Sequence, residues 1–135
     1  MMENSNSLQP LKIPAAFDTP EVELDVQNEI FKIEGNSYPE NPITFYTPVH
    51  QWFSQYAFKP LKKTVVKIHF KYFSTSSTQI FFEIFKILED IRNQGNEVII
   101  RWIYDAENEE IKESGETYST LFYIPFELME SKESL

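Results

Sequence analysis

The chain has 135 residues, a formal net charge of -9 and no cysteine. The length is that of one ordinary domain, large enough to bury a core of its own. The charge argues against nucleic acid or an anionic membrane as partner, the absence of cysteine excludes disulfides and thiolate metal sites, and three scattered glycines exclude a glycine-rich phosphate loop.

No segment of the sequence is suited to a membrane. The apolar stretches are short and fall well below the ~20 residues that a spanning helix needs. The polar start of the chain lacks the apolar centre of a signal peptide. We therefore expect a cytoplasmic protein with disordered tails at residues 1–10 and 131–135 and a single domain at residues 11–130.

The first half of the domain predicts a β-hairpin followed by a helix. Glu21–Val26 alternates apolar and acidic residues, and Glu29–Ile33 follows after a two-residue turn. Further on, Asn41 is a good N-cap and Pro42 suits the first position of a helix that runs to about Phe58.

The second half predicts strands that alternate with helices. The segments are a strand at Thr64–Phe73, a helix at Ser76–Arg92, a strand at Val98–Tyr104, a short helix at Glu107–Glu113, a strand at Thr120–Pro125 and a terminal turn at Phe126–Glu130. The order β-β-α-β-α-β-α-β predicts an α/β fold with a mixed sheet whose central strands are mainly parallel.

The second face of this sheet carries basic residues. A sheet covered on both faces would have apolar residues on both, so we expect the helices mainly on one face. The basic residues are Lys32, Lys67, His69, Lys71 and Arg101.

No constellation of catalytic or metal-binding residues is recognisable. The two histidines, His50 and His69, have no metal-ligand spacing and are interpreted as surface or rim residues. The acidic residues between Asp105 and Glu110 lack the frame of a calcium loop and are interpreted as solvated. We therefore predict a non-catalytic protein without a metal or other cofactor.

The hydroxyl run Ser74–Thr78 lies where a strand hands over to a helix. Ser76, with Gln79 three residues later, predicts a capping box, and Ser77 falls on the extension of the buried helix stripe. Thr75 is then expected to project into solvent at the positive end of the helix dipole. A phosphate there would meet free backbone N–H groups and add about -1.5 to -2 charges.

Phe82 is the second unusual feature of this helix. On a helical wheel it lies ~160° from Ile84, on the side of Gln79 and Lys86 and away from the core. The sequence thus predicts an exposed aromatic contact for a protein partner, less than two turns from Thr75. A phosphate on Thr75 would weaken such an apolar contact.

Three segments together resemble the SiaC family of bacterial regulatory phosphoproteins. They are Gly35–Asn41 (GNSYPEN), Tyr72–Ser77 (YFSTSS), and Trp102–Asp105 continued by Asn108-Glu109. The resemblance extends from about Leu11 to Leu128. It implies a fold similar to STAS domains, the type of the anti-sigma-factor antagonists.

The resemblance also implies a function. A dedicated kinase would phosphorylate the family's threonine, which matches Thr75, and a PP2C-type phosphatase would remove the phosphate; Ser74 and Ser76 are the alternative sites. The unphosphorylated form would bind and activate a diguanylate cyclase, raising cyclic di-GMP and favouring biofilm or aggregation. The alternative is an anti-sigma-factor antagonist in a partner-switching pathway. The predicted partner-binding residues are Phe82, Gln79, Lys86, Glu40 and Asn41.

Overall fold

The computed structural model describes residues 8–132. Along this part of the chain, six strands and three helices follow in the order β1 (Leu11–Ile13), β2 (Glu21–Asp25), β3 (Ile30–Ser37), α1 (Pro42–Tyr56), β4 (Lys63–Phe73), α2 (Thr75–Asn93), β5 (Glu97–Asp105), α3 (Glu109–Leu121) and β6 (Phe126–Ser131). The predicted hairpin, the two long helices and the strands β4 and β5 are thus present.

All six strands form one sheet in sequence order, β1-β2-β3-β4-β5-β6. β1, β2 and β3 pair antiparallel, whereas β3 to β6 pair parallel. One helix connects each parallel pair, and right-handed crossovers in an unreversed order place every helix on the same face. Aromatic contacts between helix and strand occur at Trp52–Phe31, Phe81–Phe70 and Tyr118–Trp102. The predicted α/β class with helices on one face is confirmed; the STAS-like character stays a prediction.

The core between sheet and helices is built mainly from aromatic rings. Its largest fully buried side chains are Trp102, Tyr46, Tyr56, Phe53, Phe70, Phe81 and Phe85. This packing gives the 16% aromatic content of the chain a structural role. Aromatic side chains bury large apolar areas, and edge-to-face pairs add specific geometry.

The third helix is longer than predicted. The expected helix Glu107–Glu113 was to end at Ser114-Gly115, but α3 continues to Leu121. Gly115 does not end the helix; it allows close packing, since a Cβ there would lie 2.3 Å from Cδ1 of Trp102. The indole Nε1 of Trp102 in turn donates to the Ile111 carbonyl at 2.7 Å.

The last strand was therefore misplaced in the sequence prediction. Thr120 belongs to α3, and the strand occupies residues 126–131, where a terminal turn was expected. Its parallel register with β5, Trp102 opposite Leu128, sets its place in the sheet. A short edge strand with alternating half-buried residues has no distinctive local pattern.

Strand β1, three residues long, was not predicted. The described chain also packs outside the predicted domain, which was to begin at residue 11. Before it, Leu8 packs against the core, and the Gln9 carbonyl accepts a hydrogen bond from Trp52 Nε1 at 2.8 Å. The remaining tail predictions, at residues 1–7 and 133–135, lie outside the described residues.

The open face of the sheet is mixed in charge and not simply basic. Lys32 lies 3.5 Å from Glu21, and Lys67 lies 3.4 Å from Glu34. Acidic residues on neighbouring strands thus compensate the lysines that we expected to dominate this face.

His69 on the same open face was interpreted as a surface or rim residue, and that prediction is wrong because the side chain is buried. It is 5% exposed, and its Nε2 lies 3.0 Å from Oδ1 of Asp105. The pairing partner is 36 residues away in sequence, so no local pattern revealed it. The pair joins the end of β5 to β4 beside the connection into α3.

Candidate functional site

The carboxyl ends of β3, β4 and β5 meet at one edge of the sheet, and a helix begins after each. In open α/β sheets, ligands usually bind outside the carboxyl ends of the strands. The three helices have side-chain N-caps, as Asn41, Ser74 and Asn108 each accept a hydrogen bond from a backbone N–H three residues on. The prediction of Asn41 as a cap is confirmed, and the hydroxyl run lies in the middle of this edge.

The cap of α2 is Ser74, not Ser76 as predicted. Ser74 has extended backbone angles, and its N–H donates to the Ser37 carbonyl at 2.8 Å as a continuation of the sheet. Helical geometry therefore begins one residue later, at Thr75, and the capping-box spacing was misleading. Ser76 lies exposed in the first turn.

The hydroxyls of the run are not equivalent. Ser77 is fully buried, and Thr78 donates to the Ser74 carbonyl at 3.3 Å. Ser74 and Ser76 bond to each other at 3.1 Å. Thr75 is exposed, and within residues 8–132 its hydroxyl makes no hydrogen bond. Thr75 is thus the accessible and uncommitted hydroxyl of the run.

Thr75 lines a groove of about 570 Å³ between α2 and α3. The polar and aromatic part of its wall includes Lys71, Tyr72, Thr78, Asn108, Glu110 and Glu113. The groove thus holds one cation and two carboxylates beside the free hydroxyl.

Across residues 8–132, no cluster of histidine and acidic side chains is arranged to hold a metal ion. Over the same range, no helix has the length and apolar character required to cross a bilayer.

A β-bulge at Lys71 shapes the edge next to the groove. The register of β4 against β3 shifts there by one residue. Strict alternation along β4 would place Tyr72 on the core side with Phe70, but after the bulge Tyr72 is turned outward and is 53% exposed. Phe73 takes the inward place and stacks on Phe70 at 4.6 Å. Bulges often redirect a side chain in this way near functional sites.

Tyr72 belongs to a row of three aromatic rings that the sequence analysis missed. Its ring lies 5.3 Å from that of Tyr38, which lies 5.8 Å from Phe17, both edge to face. Phe17 is 81% exposed. We call Phe17, Tyr38 and Tyr72 the aromatic ridge. Exposed aromatic clusters are typical of protein interfaces, and Tyr72 makes this one continuous with the groove of Thr75.

Phe82 does not point away from the core as predicted. It is half-buried, and its ring packs edge to face against Phe122 at 5.0 Å. The helical wheel missed this contact because Phe122 follows the unpredicted second half of α3. Of the other predicted partner-binding residues, Gln79, Lys86 and Glu40 are exposed, and Asn41 is engaged as a cap.

Two buried tyrosines border the hydroxyl run. Burial raises the pKa of Tyr46 and of Tyr118 well above the ordinary value. Both therefore remain protonated at neutral pH and can donate a hydrogen bond. Tyr118 donates to the Thr78 carbonyl at 3.0 Å, and Tyr46 contacts Ser37 Oγ at 2.6 Å.

Comparison with known proteins gives a consistent result. The model of the family described as "SiaC family regulatory phosphoprotein" matches residues 13–131. An uncharacterised protein of Pseudomonas aeruginosa (strain UCBPP-PA14) is 28% identical over 126 residues, which are 93% of this chain and 100% of that protein.

Solved structures agree with the sequence match. SiaC of Pseudomonas aeruginosa superimposes with a TM-score of 0.82 at 26% identity, covering 91% of this chain and 99% of that one. A chain in the crystal structure of the diguanylate cyclase SiaD in complex with its activator SiaC, from the same species, gives a TM-score of 0.82 at 28% identity, covering 90% and 99%. This chain therefore belongs to the SiaC family of regulatory phosphoproteins.

Proposed function

We propose that this protein is a binding switch in which a phosphate on Thr75 controls association with a diguanylate cyclase. The observation that carries the proposal is the exposed hydroxyl of Thr75 at the first position of α2, which makes no hydrogen bond to any of residues 8–132. Support for the effector comes from the related SiaC, which activates the cyclase SiaD. A kinase and a PP2C-type phosphatase are the enzymes that such a switch needs.

Thr75 suits a kinase better than its neighbours do. A kinase has to reach the hydroxyl and take its proton. The Ser77 hydroxyl is buried, and that of Ser74 caps the helix, so modifying either would cost part of the fold. Thr75 has neither restriction, and Ser76 is the nearest competitor because it is also exposed.

The fold should tolerate the phosphate. The first turn of α2 has no acidic residue, so its positive dipole end is uncompensated. A phosphate of about -1.5 to -2 charges is favourable there. Lys71 in the same groove adds attraction, while Glu110 and Glu113 oppose it from the exposed wall of α3, where solvent screening keeps the repulsion small.

Partner binding should be more sensitive to a phosphate on Thr75 than the stability of the fold is. Tyr72 joins the groove of Thr75 to the aromatic ridge, an exposed apolar surface. A docked partner would have to remove water from a neighbouring phosphate, and burying an unpaired charge is costly. The unphosphorylated form is thus the binding form. The exposed side chains of Gln79, Lys86 and Glu40 belong to the same proposed surface.

Phosphosite mapping tests the first half of the proposal. The protein is incubated with its cognate kinase, and the modified residue is identified by mass spectrometry. We expect phosphate on Thr75, none in Thr75→Ala, and normal modification in the control Thr78→Ala. Full modification of Thr75→Ala would refute the site.

Cyclase activation tests the second half. Production of cyclic di-GMP by the cognate cyclase is measured with unmodified protein, phosphorylated protein and Thr75→Asp. We expect at least tenfold weaker activation by the phosphoprotein, a difference of about 1.4 kcal/mol or more in binding, and a smaller loss with Thr75→Asp. Thr47→Asp, the same charge on α1, is the matched control. Equal activation by both phosphorylation states would refute the switch. In a pull-down from native cell extract, an anti-sigma factor as the main partner in place of the cyclase would favour the alternative pathway.

A further inference from the structure

Five hydroxyl groups connect the interior of α1 to the surface of α2. The successive oxygen–oxygen distances are 2.6 Å for Tyr46–Ser37, 2.9 Å for Ser37–Ser77, 3.0 Å for Ser77–Ser74 and 3.1 Å for Ser74–Ser76. We call this set the hydroxyl chain. Its first three members are buried, and its last member is exposed beside Thr75.

At the buried end of the hydroxyl chain, burial decides which hydroxyl donates and which accepts. Within residues 8–132, the only hydrogen-bond partner of the Tyr46 hydroxyl is Ser37 Oγ. If Tyr46 accepted that bond, its own buried proton would have no acceptor, which is costly. Tyr46 therefore donates to Ser37, and the Ser37 proton is then available only to Ser77.

The same order of donor and acceptor continues along the hydroxyl chain to the surface. Having accepted from Ser37, the Ser77 hydroxyl donates to Ser74 Oγ at 3.0 Å, which is closer than the Ser37 carbonyl at 3.4 Å. Ser74 Oγ also accepts the backbone N–H of Ser77 at 3.3 Å, a donor that it shares with the Ser74 carbonyl at 3.0 Å. Both lone pairs of Ser74 are then occupied, and its proton goes to Ser76.

We propose that Tyr46 is a positioning residue that acts through Ser37 and Ser77 to keep Ser74 in its capping role and so leave Thr75 as the reactive hydroxyl of the run. The positioning of the α2 N-terminus stands on this geometry alone. Its consequence for the choice of phosphosite rests on the proposed function. Tyr46 lies nine residues from Ser37 in sequence, and Ser37 lies 40 from Ser77, so the control is tertiary.

Removal of the Tyr46 hydroxyl would weaken the hydroxyl chain. In Tyr46→Phe the ring still fills its place and Ser37 still donates to Ser77, but the Ser37 oxygen no longer accepts a proton. Hydrogen bonds in a chain strengthen one another, so the bonds from Ser37 to Ser77 and from Ser77 to Ser74 weaken. Ser74 would then hold the Ser77 N–H less firmly, and the first turn of α2 would open more often.

Amide hydrogen exchange tests the positioning without any kinase. We expect the Ser77 amide to exchange about fivefold faster in Tyr46→Phe, the effect of weakening one hydrogen bond. The matched control is Tyr56→Phe. It removes another buried hydroxyl of α1, one that bonds Thr64 and the Leu61 N–H and lies outside the hydroxyl chain. An equal rate at Ser77 in the two variants, after correction for global stability, would overturn the proposal.

Phosphosite distribution tests the consequence with the cognate kinase. We expect phosphate on Thr75 alone in the wild type and in Tyr56→Phe, with a measurable share moved to Ser74 or Ser76 in Tyr46→Phe. Unchanged selectivity would overturn the role in site choice. Absence of phosphate from Thr75 in the wild type would refute the proposed function and leave the exchange result standing.

Ser37→Ala interrupts the hydroxyl chain at its second member. It tests the same path by a different substitution, so the proposal can still be tested if Tyr46→Phe does not fold. It should raise exchange at Ser77 by a similar factor. The double variant should add little to either single change, because both act on one path. Simple multiplication of the two effects would show that Tyr46 and Ser37 act independently, contrary to the proposal.

Discussion

Helices α2 and α3 begin at the same edge of the sheet and border the same groove, yet their first turns differ in charge. Each is capped by the residue before it, Ser74 for α2 and Asn108 for α3. The first turn of α3 contains Glu109 and Glu110, whereas that of α2 contains no acidic residue. One helix dipole is compensated by the sequence, and the other is not.

This difference shows how a permanent and a conditional charge can serve adjacent helices. A carboxylate in the first turn stabilises a helix by typically 0.3–1 kcal/mol. On α3 this contribution is always present. On α2 the corresponding position is Thr75, where in the proposed function a phosphate supplies the charge only when a kinase has acted.

The largest expected effect on stability comes from a substitution that pushes α3 away from the Trp102 ring. In Gly115→Ala the new Cβ would clash with the Trp102 ring, at 2.3 Å from Cδ1. We expect a loss of about 3 kcal/mol in the free energy of unfolding, as found for strong overpacking, measured by chemical denaturation. Ser114→Ala next to it should change stability by less than about 0.5 kcal/mol. A neutral Gly115→Ala would mean that α3 is not held against the ring.

Removal of the α3 cap should have the next largest effect. Asn108 accepts the Ile111 N–H and also donates to the Lys71 carbonyl at 2.9 Å, across to β4. Asn108→Ala loses both bonds, and we expect about 1.5 kcal/mol of destabilisation. Asn93→Ala, at the exposed end of α2, is the control and should be nearly neutral. Equal unfolding midpoints for the two variants would contradict the structural role of Asn108.

Removal of the α2 cap should lower the free energy of unfolding by less than removal of the α3 cap. Ser74→Ala removes one of the two acceptors of the Ser77 N–H, which keeps its bond to the Ser74 carbonyl at 3.0 Å, and Ser77 Oγ keeps its contact with Ser37 at 2.9 Å. We expect about 1 kcal/mol from thermal or chemical unfolding. Ser76→Ala should cost at most about 0.5 kcal/mol because Ser76 is exposed. A larger loss for Ser76→Ala than for Ser74→Ala would restore Ser76 as the cap.

The smallest effect concerns the charge difference itself. Thr75→Glu should stabilise the protein by about 0.5 kcal/mol relative to Thr75→Gln, and Glu109→Gln should destabilise it by a similar amount. Both effects should vanish in about 1 M salt, where screening acts within about 3 Å. Denaturation at low and high salt measures this. Destabilisation by Thr75→Glu at low salt would mean that Glu110 and Glu113 outweigh the helix dipole.

The sequence and the structure agree best where the signal is local. The alternation of β4 as far as Phe70, the Asn41–Pro42 start of α1 and the inward position of Ser77 were all readable from neighbouring residues. The misplaced features depend on distant partners. The length of α3 follows from Trp102 beside Gly115, and the packing of Phe82 from Phe122.

By itself, the sequence determined the fold class, the family resemblance and the hydroxyl run at the start of α2, since periodicity and motifs are properties of contiguous residues. Only the tertiary structure decided which hydroxyl caps the helix. Ser74 becomes the cap because its backbone N–H joins the end of β3 through the Ser37 carbonyl. Ser77 is held by a serine 40 residues away. Thr75 remains uncommitted because hydrogen bonds to distant and neighbouring groups engage the hydroxyls around it.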